Sequence, residues 1–390
     1  MTDGVVNGVA ISGNTLYIGG TFTQVGPVTG SAVPIDASSG APVALPMVAG
    51  TVNAVAPDGS GGWYIGGEFT HVGGVPRANL AKLKPDQTLD AWDPSTNAAV
   101  RALVVSGTTV YAGGDFTSAG GHSRNRIAAL DATTGVANAW NPGANIDVYA
   151  LAVSGTTVYA GGDFTSIGGR TRSRIAAVDA ASGLATTWNP NASGRVRTLP
   201  PSGTKVYAGG EFMTIGGQSR NHIAALDAGG LATSWNPNAS EGVRAGGERG
   251  DDLRRRKFPD AGGQPRSHVA ALDTTSGAAT SWNGNGGGLV LTLAVSGNTV
   301  YVGGRFGQFH ASVRNGIAAL DATTAALLSW NPNANSDVLA LAVSGTTVFA
   351  GESSRASGAR HGIESPRWTP PPESRPPGIP TRTPKSTPWR

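Results

Sequence analysis

Apolar residues recur along this chain in short alternating runs, not in helical stripes. Residues 148–153 alternate small and larger apolar side chains, which predicts a strand, A. Ser154-Gly155-Thr156 turns the chain, and 157–164 predicts strand B. Gly168-Gly169 makes the next turn, 174–179 predicts strand C, and Ala181-Ser182-Gly183 turns again. Residues 184–188 predict strand D, which Asn189-Pro190-Asn191 ends because proline cannot continue a ladder.

The pattern repeats. Gly-Gly-acid-Phe stands at Gly113-Gly114-Asp115-Phe116, Gly161-Gly162-Asp163-Phe164 and Gly209-Gly210-Glu211-Phe212. Variants begin at Gly19, Gly66 and Gly303. The period is 47–48 residues, and strand A starts near Val5, Val52, Val100, Val148, Val196, Val243, Leu289 and Val338. Repeats therefore fall near 4–48, 51–95, 98–144, 146–192, 194–239, 242–286, 289–334 and, in part, 337–350. In the first, Leu45 stands where later units have Trp. A four-stranded unit at this period predicts one all-β domain over 1–350, a β-propeller of seven or alternatively eight blades. One blade cannot bury both faces, whereas a ring of blades can, leaving only short edges.

Two stretches break the pattern. Where strands A and B of the sixth unit belong, residues 243–257 carry Arg254, Arg255, Arg256 and Lys257, and Ala-Gly-Gly read one base out of frame in a GC-rich gene gives Arg-Arg-Arg. Residues 351–390 read as a Pro/Arg-rich disordered tail. Plausible codons for 365–373, shifted by two bases, restore Ala-Ala-Leu-Asp-Ala-Thr-Thr-Gly, the strand C ending at 128–135, and continue into a strand D. The tail is therefore read as out-of-frame sequence with a brief return near 360–363; the competing reading is a genuine disordered tail.

Composition changes this picture little. Of 390 residues, 58 are glycine and 14% are charged, which suits short strands and tight turns. The net charge of +4 is concentrated in the two broken stretches, so no nucleic-acid partner is expected. There is no cysteine, hence no disulfide framework or thiolate chemistry, and no apolar run approaches the roughly 20 residues of a membrane span. Met1 runs directly into the first repeat with no visible signal peptide, so the chain is expected to be either cytoplasmic or a piece of a longer one.

Candidate chemistry is weighed by repeat slot. An arginine follows the strand B acid by nine residues in Glu68/Arg77, Asp115/Arg124, Asp163/Arg172 and Glu211/Arg220, which predicts cross-strand ion pairs. The first unit lacks both members (Thr21, Gly30), and the seventh has Arg305 with Arg314. Trp92, Trp140, Trp188, Trp235, Trp282 and Trp330 end strand D; each is expected to pack on a neighbouring blade, not to stack on sugars. Asn331, Asn333, Asn335 and Asp337 alternate like the start of a calcium loop, but one charge and no bidentate glutamate make a turn the better reading, and no metal is expected. His222 and His268 share a slot with Arg126 and Arg174 and read as surface variants. No catalytic set is found, and no cofactor is expected. Because every unit offers the same residues, an active site should appear as a departure from the repeat, and the clearest departures are the broken stretches.

The stretch 130–140, Leu-Asp-Ala-Thr-Thr-Gly…Trp, resembles the tryptophan-docking motif of quinoprotein propellers, with one residue more between Gly and Trp and no adjacent-cysteine pair. That resemblance implies shared blade packing, with a quinone-dependent or glycan-active enzyme as the alternative function. The run Tyr159-Ala160-Gly161-Gly162-Asp163-Phe164, continuing to Gly169 and followed by Arg-x-Arg-Ile-Ala-Ala-x-Asp and Trp-Asn-Pro, resembles the delta-60 repeat, a bacterial β-propeller repeat family of unknown function. It is also similar to the extracellular repeats of fungal cortical polarity markers. The resemblance covers roughly 5–350 and implies a secreted or cell-surface, non-catalytic scaffold that binds protein or glycan within a longer multidomain chain. It supplies no catalytic residues. Resequencing the locus is expected to put a strand C in frame beyond Gly351; an intact frame with a true stop after Arg390 overturns the frame reading.

Overall fold

The computed structural model describes residues 5–12, 15–21, 31–41, 46–239 and 260–353. Leu45, the stretch 243–257 and all of the tail beyond Ser353 lie outside them, so the expectations placed there stand untested. The described residues form strands and turns with no helix. The architecture is that of a β-propeller.

In the fourth unit strand A is Val148–Ser154, strand B is Thr157–Gly162 and strand C is Ile175–Asp179. The three make one antiparallel sheet with B in the centre, Tyr159 pairing with Ala152 on one side and Ala177 on the other. Strand B stops at Gly162, short of the expected 164, and a two-residue hairpin, Ser166–Ile167 with Arg170–Thr171, follows. Strand D is the main departure from expectation. It is a single bridge, Val178 to Ala185, and not a full ladder. Its backbone groups have other partners: Ala185 donates to the Gly168 carbonyl, and the Thr186 carbonyl accepts from the Arg172 guanidinium.

Small alternating side chains let the sheets stack closely, and the core lies between units. Ala150, Ile175 and Trp188 of the fourth unit pack with Val196, Phe212 and Leu226 of the fifth in one buried cluster. Equivalent clusters join the third unit to the fourth and the second to the third. Burial of apolar area is the main drive to assemble such a stack.

The tryptophans tie each unit to the next. Trp92 Nε1 donates to the Asp131 carbonyl, Trp140 to Asp179, Trp188 to Asp227, Trp235 to Asp273 and Trp282 to Asp321, all at 2.8–3.0 Å. Trp92, Trp140, Trp188 and Trp235 also meet a strand B tyrosine of their own unit edge-on, as Trp140 meets Tyr111 at 5.1 Å. The accepting aspartate is held by its turn. Asp131 Oδ1 accepts from the Thr134 N–H and hydroxyl and from the Thr133 N–H, which holds its carboxyl below the usual range. Asp179, Asp273 and Asp321 are depressed by the same kind of turn hydrogen bond. A depressed carboxyl stabilises the fold above the unfolded carboxylate pKa near ~4, and that contribution fades as the pH falls below it.

The two ends of the array meet in one sheet. Val338–Ser344 and Thr347–Glu352 form the last A–B hairpin, and their third strand is Ala32–Asp36 from the first unit. Val33 pairs with Ala350 and Asp36 with Thr347. Trp330 Nε1 completes the series by donating to the Asp36 carbonyl at 2.9 Å. The segments 4–48 and 337–350, expected as separate units, thus share a sheet, while Val5–Ser12 and Thr15–Thr21 form a separate two-stranded one.

The Gly-Gly step has two separate causes. A Cβ on Gly113 would lie 2.7 Å from Val148 Cγ1 of the next unit; one on Gly114 would lie 2.1 Å from the Ala99 carbonyl of its own strand A. The first glycine brings blades together and the second brings strands together. Glu352, 3% exposed, occupies the second slot in the last hairpin. Gly113→Ala is expected to destabilise by about 1–3 kcal/mol in denaturant unfolding, with part of the loss recovered by adding Val148→Ala, which removes the opposing methyls.

Candidate binding site at the channel mouth

The described A strands carry a bulge at a matching place. The register slips between Val52 and Ala54, Val100 and Ala102, Val148 and Ala150, Val196 and Thr198, Val290 and Thr292, and Val338 and Ala340. The skipped residues are Asn53, Arg101, Tyr149, Arg197, Leu291 and Leu339. A bulge leaves its extra residue unpaired and re-aims the side chain. Five of these, all but Leu291, line one cavity of about 440 Å3, floored by small residues such as Ala102, Ala150 and Ala340. The scaffold around the slot hardly varies, and the slot itself changes from cation to aromatic to aliphatic.

Charge surrounds the slot on the third to fifth units. Arg101 grips Asp115 through Nε and Nη2 at 2.6 and 2.5 Å. Arg195 does the same to Asp163 at 2.9 and 2.5 Å, and Arg197 to Glu211 at 3.1 and 2.9 Å. Arg126 faces Asp147 at 3.0 Å. Tyr149 sits inside this belt. The guanidinium carbons of Arg195, Arg101 and Arg197 lie 4.7, 5.6 and 5.7 Å from its ring centroid. Its hydroxyl lies 3.4 Å from both Asp147 Oδ2 and Asp163 Oδ2. Burial, then the charge of Asp115, pushes the Asp147 carboxyl above the usual range against the pull of Arg126 and Arg101. Burial works against the charge on Arg101, but Asp115 outweighs it, and the guanidinium is held more firmly protonated than usual.

The structure corrects the expected ion pairs Glu68/Arg77, Asp115/Arg124, Asp163/Arg172 and Glu211/Arg220. Arg77 lies 3.7 Å from Asp93, not against Glu68. Asp115 and Glu211 pair with arginines of their own strand A bulge, and Asp163 with Arg195 of the next unit. Arg77, Arg124, Arg172 and Arg220 instead clamp backbone. Each donates one guanidinium nitrogen to the carbonyl before it and another to a strand D carbonyl, of Asp90, Asn138, Thr186 and Thr233 respectively. The acid ends strand B beside strand A, where the Asp115 N–H donates to the Ala99 carbonyl, whereas the arginine lies across the hairpin. Arg314 makes the same clamp, on the Leu328 carbonyl, although Arg305 replaces its acid. That unit was the clue in the sequence: the arginine persists without the acid because its partner is the backbone.

The remaining candidates lie apart. Asp337 is taken by Arg305 at 2.6 Å, and Asn333 Oδ1 accepts from Asn315; neither contact leads to Asn331 or Asn335. Among the described residues no group of three His, Cys, Asp or Glu could hold a metal ion. His222 and His268 share with Arg126 and Arg174 a backbone slot at φ 63–65°, and His268 Nδ1 contacts the Gly286 carbonyl at 3.1 Å. A wider cavity of about 570 Å3, between Asn236–Asn238 and the Gly262-Gly263 turn, has no titratable group in its described lining.

A family model described as a domain of unknown function (DUF5122) beta-propeller matches residues 57–91 and 205–230. Those two segments are similar to that β-propeller domain. No curated protein matches the sequence. The fold is similar to the WD40 beta propeller domain of Doa1, with TM-score 0.54 and 12% identity over 79% of this chain and 92% of that one. It is also similar to the computationally designed Ika8 protein, with TM-score 0.52 and 17% identity over 78% and 94%. The extracellular domain of a putative hybrid two component system from B. thetaiotaomicron matches at TM-score 0.46 and 14% identity, over 78% of this chain and 37% of that one. No described helix is long and apolar enough to cross a membrane.

A double-mutant cycle is expected to show no coupling between Asp163 and Arg172. Between Asp163 and Arg195, each about one-quarter exposed, it is expected to show coupling of up to about 1 kcal/mol.

Proposed function

We propose that this chain is a non-catalytic binding propeller that holds a protein or glycan ligand at the channel mouth around Tyr149. The observation that carries the reading is the bulge slot: a repeated scaffold aims Asn53, Arg101, Tyr149, Arg197 and Leu339, of differing chemistry, into one cavity. Variation confined to a converging slot is what selection for a ligand would leave, since packing alone would keep it as uniform as the tryptophans. The ring is read as seven-bladed, because strand C of the first unit completes the last hairpin. The repeats are read as delta-60 repeats, and the protein as a secreted or cell-surface module of a longer chain.

A glycan-active enzyme is the second reading. The Tyr149 hydroxyl lies between two carboxylates, one of them, Asp147, titrating above its usual range. The arginines around it already grip Asp115, Asp163 and Glu211, so the belt is built to stay closed over its own charges. A quinone-dependent reaction has no observation in its favour.

The frame-corrected propeller is expected to retain a ligand in pull-down and glycan-array screens, and Tyr149→Leu is expected to abolish that retention while the variant still unfolds in one cooperative thermal transition. Retention untouched by mouth substitutions, or turnover of aryl glycosides or of alcohols with added quinone, overturns the proposal.

A further inference from the structure

The belt around Tyr149 is chemically unusual in one respect. Within the belt, the cations Arg101, Arg126, Arg195 and Arg197 face Asp115, Asp147, Asp163 and Glu211, and the charge of Glu68 also acts on Arg101. Donors and acceptors alternate around the mouth, and the pairing of Arg101 with both oxygens of Asp115 locks that guanidinium in plane with its carboxylate. Arg101 spends Nε and Nη2 on Asp115. A guanidinium has five N–H donors and an ionised carboxylate about four acceptor positions, so capacity for a ligand remains on both sides of that pair.

This arrangement discriminates between ligands. A ligand carboxylate or phosphate only accepts, and would sit against Asp115 or Asp163 whenever it reached an arginine. An ammonium only donates, and would meet an arginine beside every carboxylate. Either would have to break an ion pair and leave a partly buried charge uncompensated, which is costly. A hydroxyl both donates and accepts, and can bridge one guanidinium to its own carboxylate without disturbing the pair. The lining also includes the apolar Leu339 and Leu341, together with Tyr149. The volume, about 440 Å3, lies in the range of small-ligand sites.

From this geometry we infer that the channel mouth is a subsite for a neutral saccharide, its hydroxyls on the Arg–Asp belt and its C–H face toward Tyr149 and the leucines. The inference rests on the binding-propeller reading above and narrows it to one ligand class. It assigns Arg101, Asp115, Asp163 and Arg195 as hydroxyl-binding residues and Tyr149 as the stacking residue.

The test uses the full chain on a glycan array holding neutral, acidic and amino glycans, with calorimetric titration of the hits at low and high sodium chloride. Tyr149→Leu is the first variant, and the repeat shows the slot accepts leucine, as at Leu291 and Leu339. Asp115→Asn is the second, keeping shape while removing one acceptor charge. The expected result is binding of neutral glycans, changed less than twofold by salt and weakened at least tenfold by Tyr149→Leu and severalfold by Asp115→Asn. Binding of acidic or amino glycans alone, or strong salt dependence, overturns the saccharide inference; if Tyr149→Leu still removes it, the binding-propeller reading survives. Capture of a protein at the mouth with no glycan bound does the same. Silence toward every glycan, with no Tyr149-dependent ligand in the pull-down, overturns both.

Discussion

Each blade of this fold is a small sheet with two apolar faces, and only the neighbouring blade can cover them. The hydrogen bond from a strand D tryptophan to the carbonyl of the next unit's turn aspartate sets how that neighbour sits. The indole stands edge-on to a tyrosine in its own unit while its N–H reaches across the seam, so one side chain fixes both the spacing and the rotation between blades. The aspartate's carboxylate, bound by its own turn, holds the accepting carbonyl still. The glycine step follows from the same spacing, because blades this close leave no room for a Cβ opposite the next valine.

Where the array closes, the same device recurs with altered parts. Trp330 donates to Asp36 across most of the chain's length. Phe349 replaces the usual strand B tyrosine there, and Trp63 of the second unit packs against it at 4.9 Å. A larger aromatic from the neighbour fills space at a seam where the last hairpin borrows its third strand. Gly351 keeps the contact with the following unit, its hydrogen facing Val52 as Gly113 faces Val148.

The candidate site is a consequence of regularity. Because a bulge recurs at one place in the described A strands, five of the side chains put there are delivered to one cavity. Sequence reasoning looked for departures from the repeat in the broken stretches and passed over this slot, although Asn53, Arg101, Tyr149, Arg197 and Leu339 already differ at equal spacing. The ion pairs were misassigned for a related reason. Acid and arginine recur together in each of four units, so co-occurrence matches every combination equally well and cannot name partners. Arg314 and Arg266, present without an acid nine residues before them, were able to separate the alternatives.

The sequence by itself determined the period, strands A to C, the turns and the tryptophan slot, because alternation, glycine pairs and Asn-Pro stops act over a few residues. Tertiary structure decided which groups meet across blades. Asp163 reaches Arg195 of the next unit because of the angle between two sheets, which no local pattern encodes. Strand Ala32–Asp36 could pair with either of two similar hairpins, Thr15–Thr21 with its partner or Thr347–Glu352 with its own. Local propensity is equal for both, and the choice of the last hairpin is a property of the assembled stack, where that pairing joins the two ends of the array.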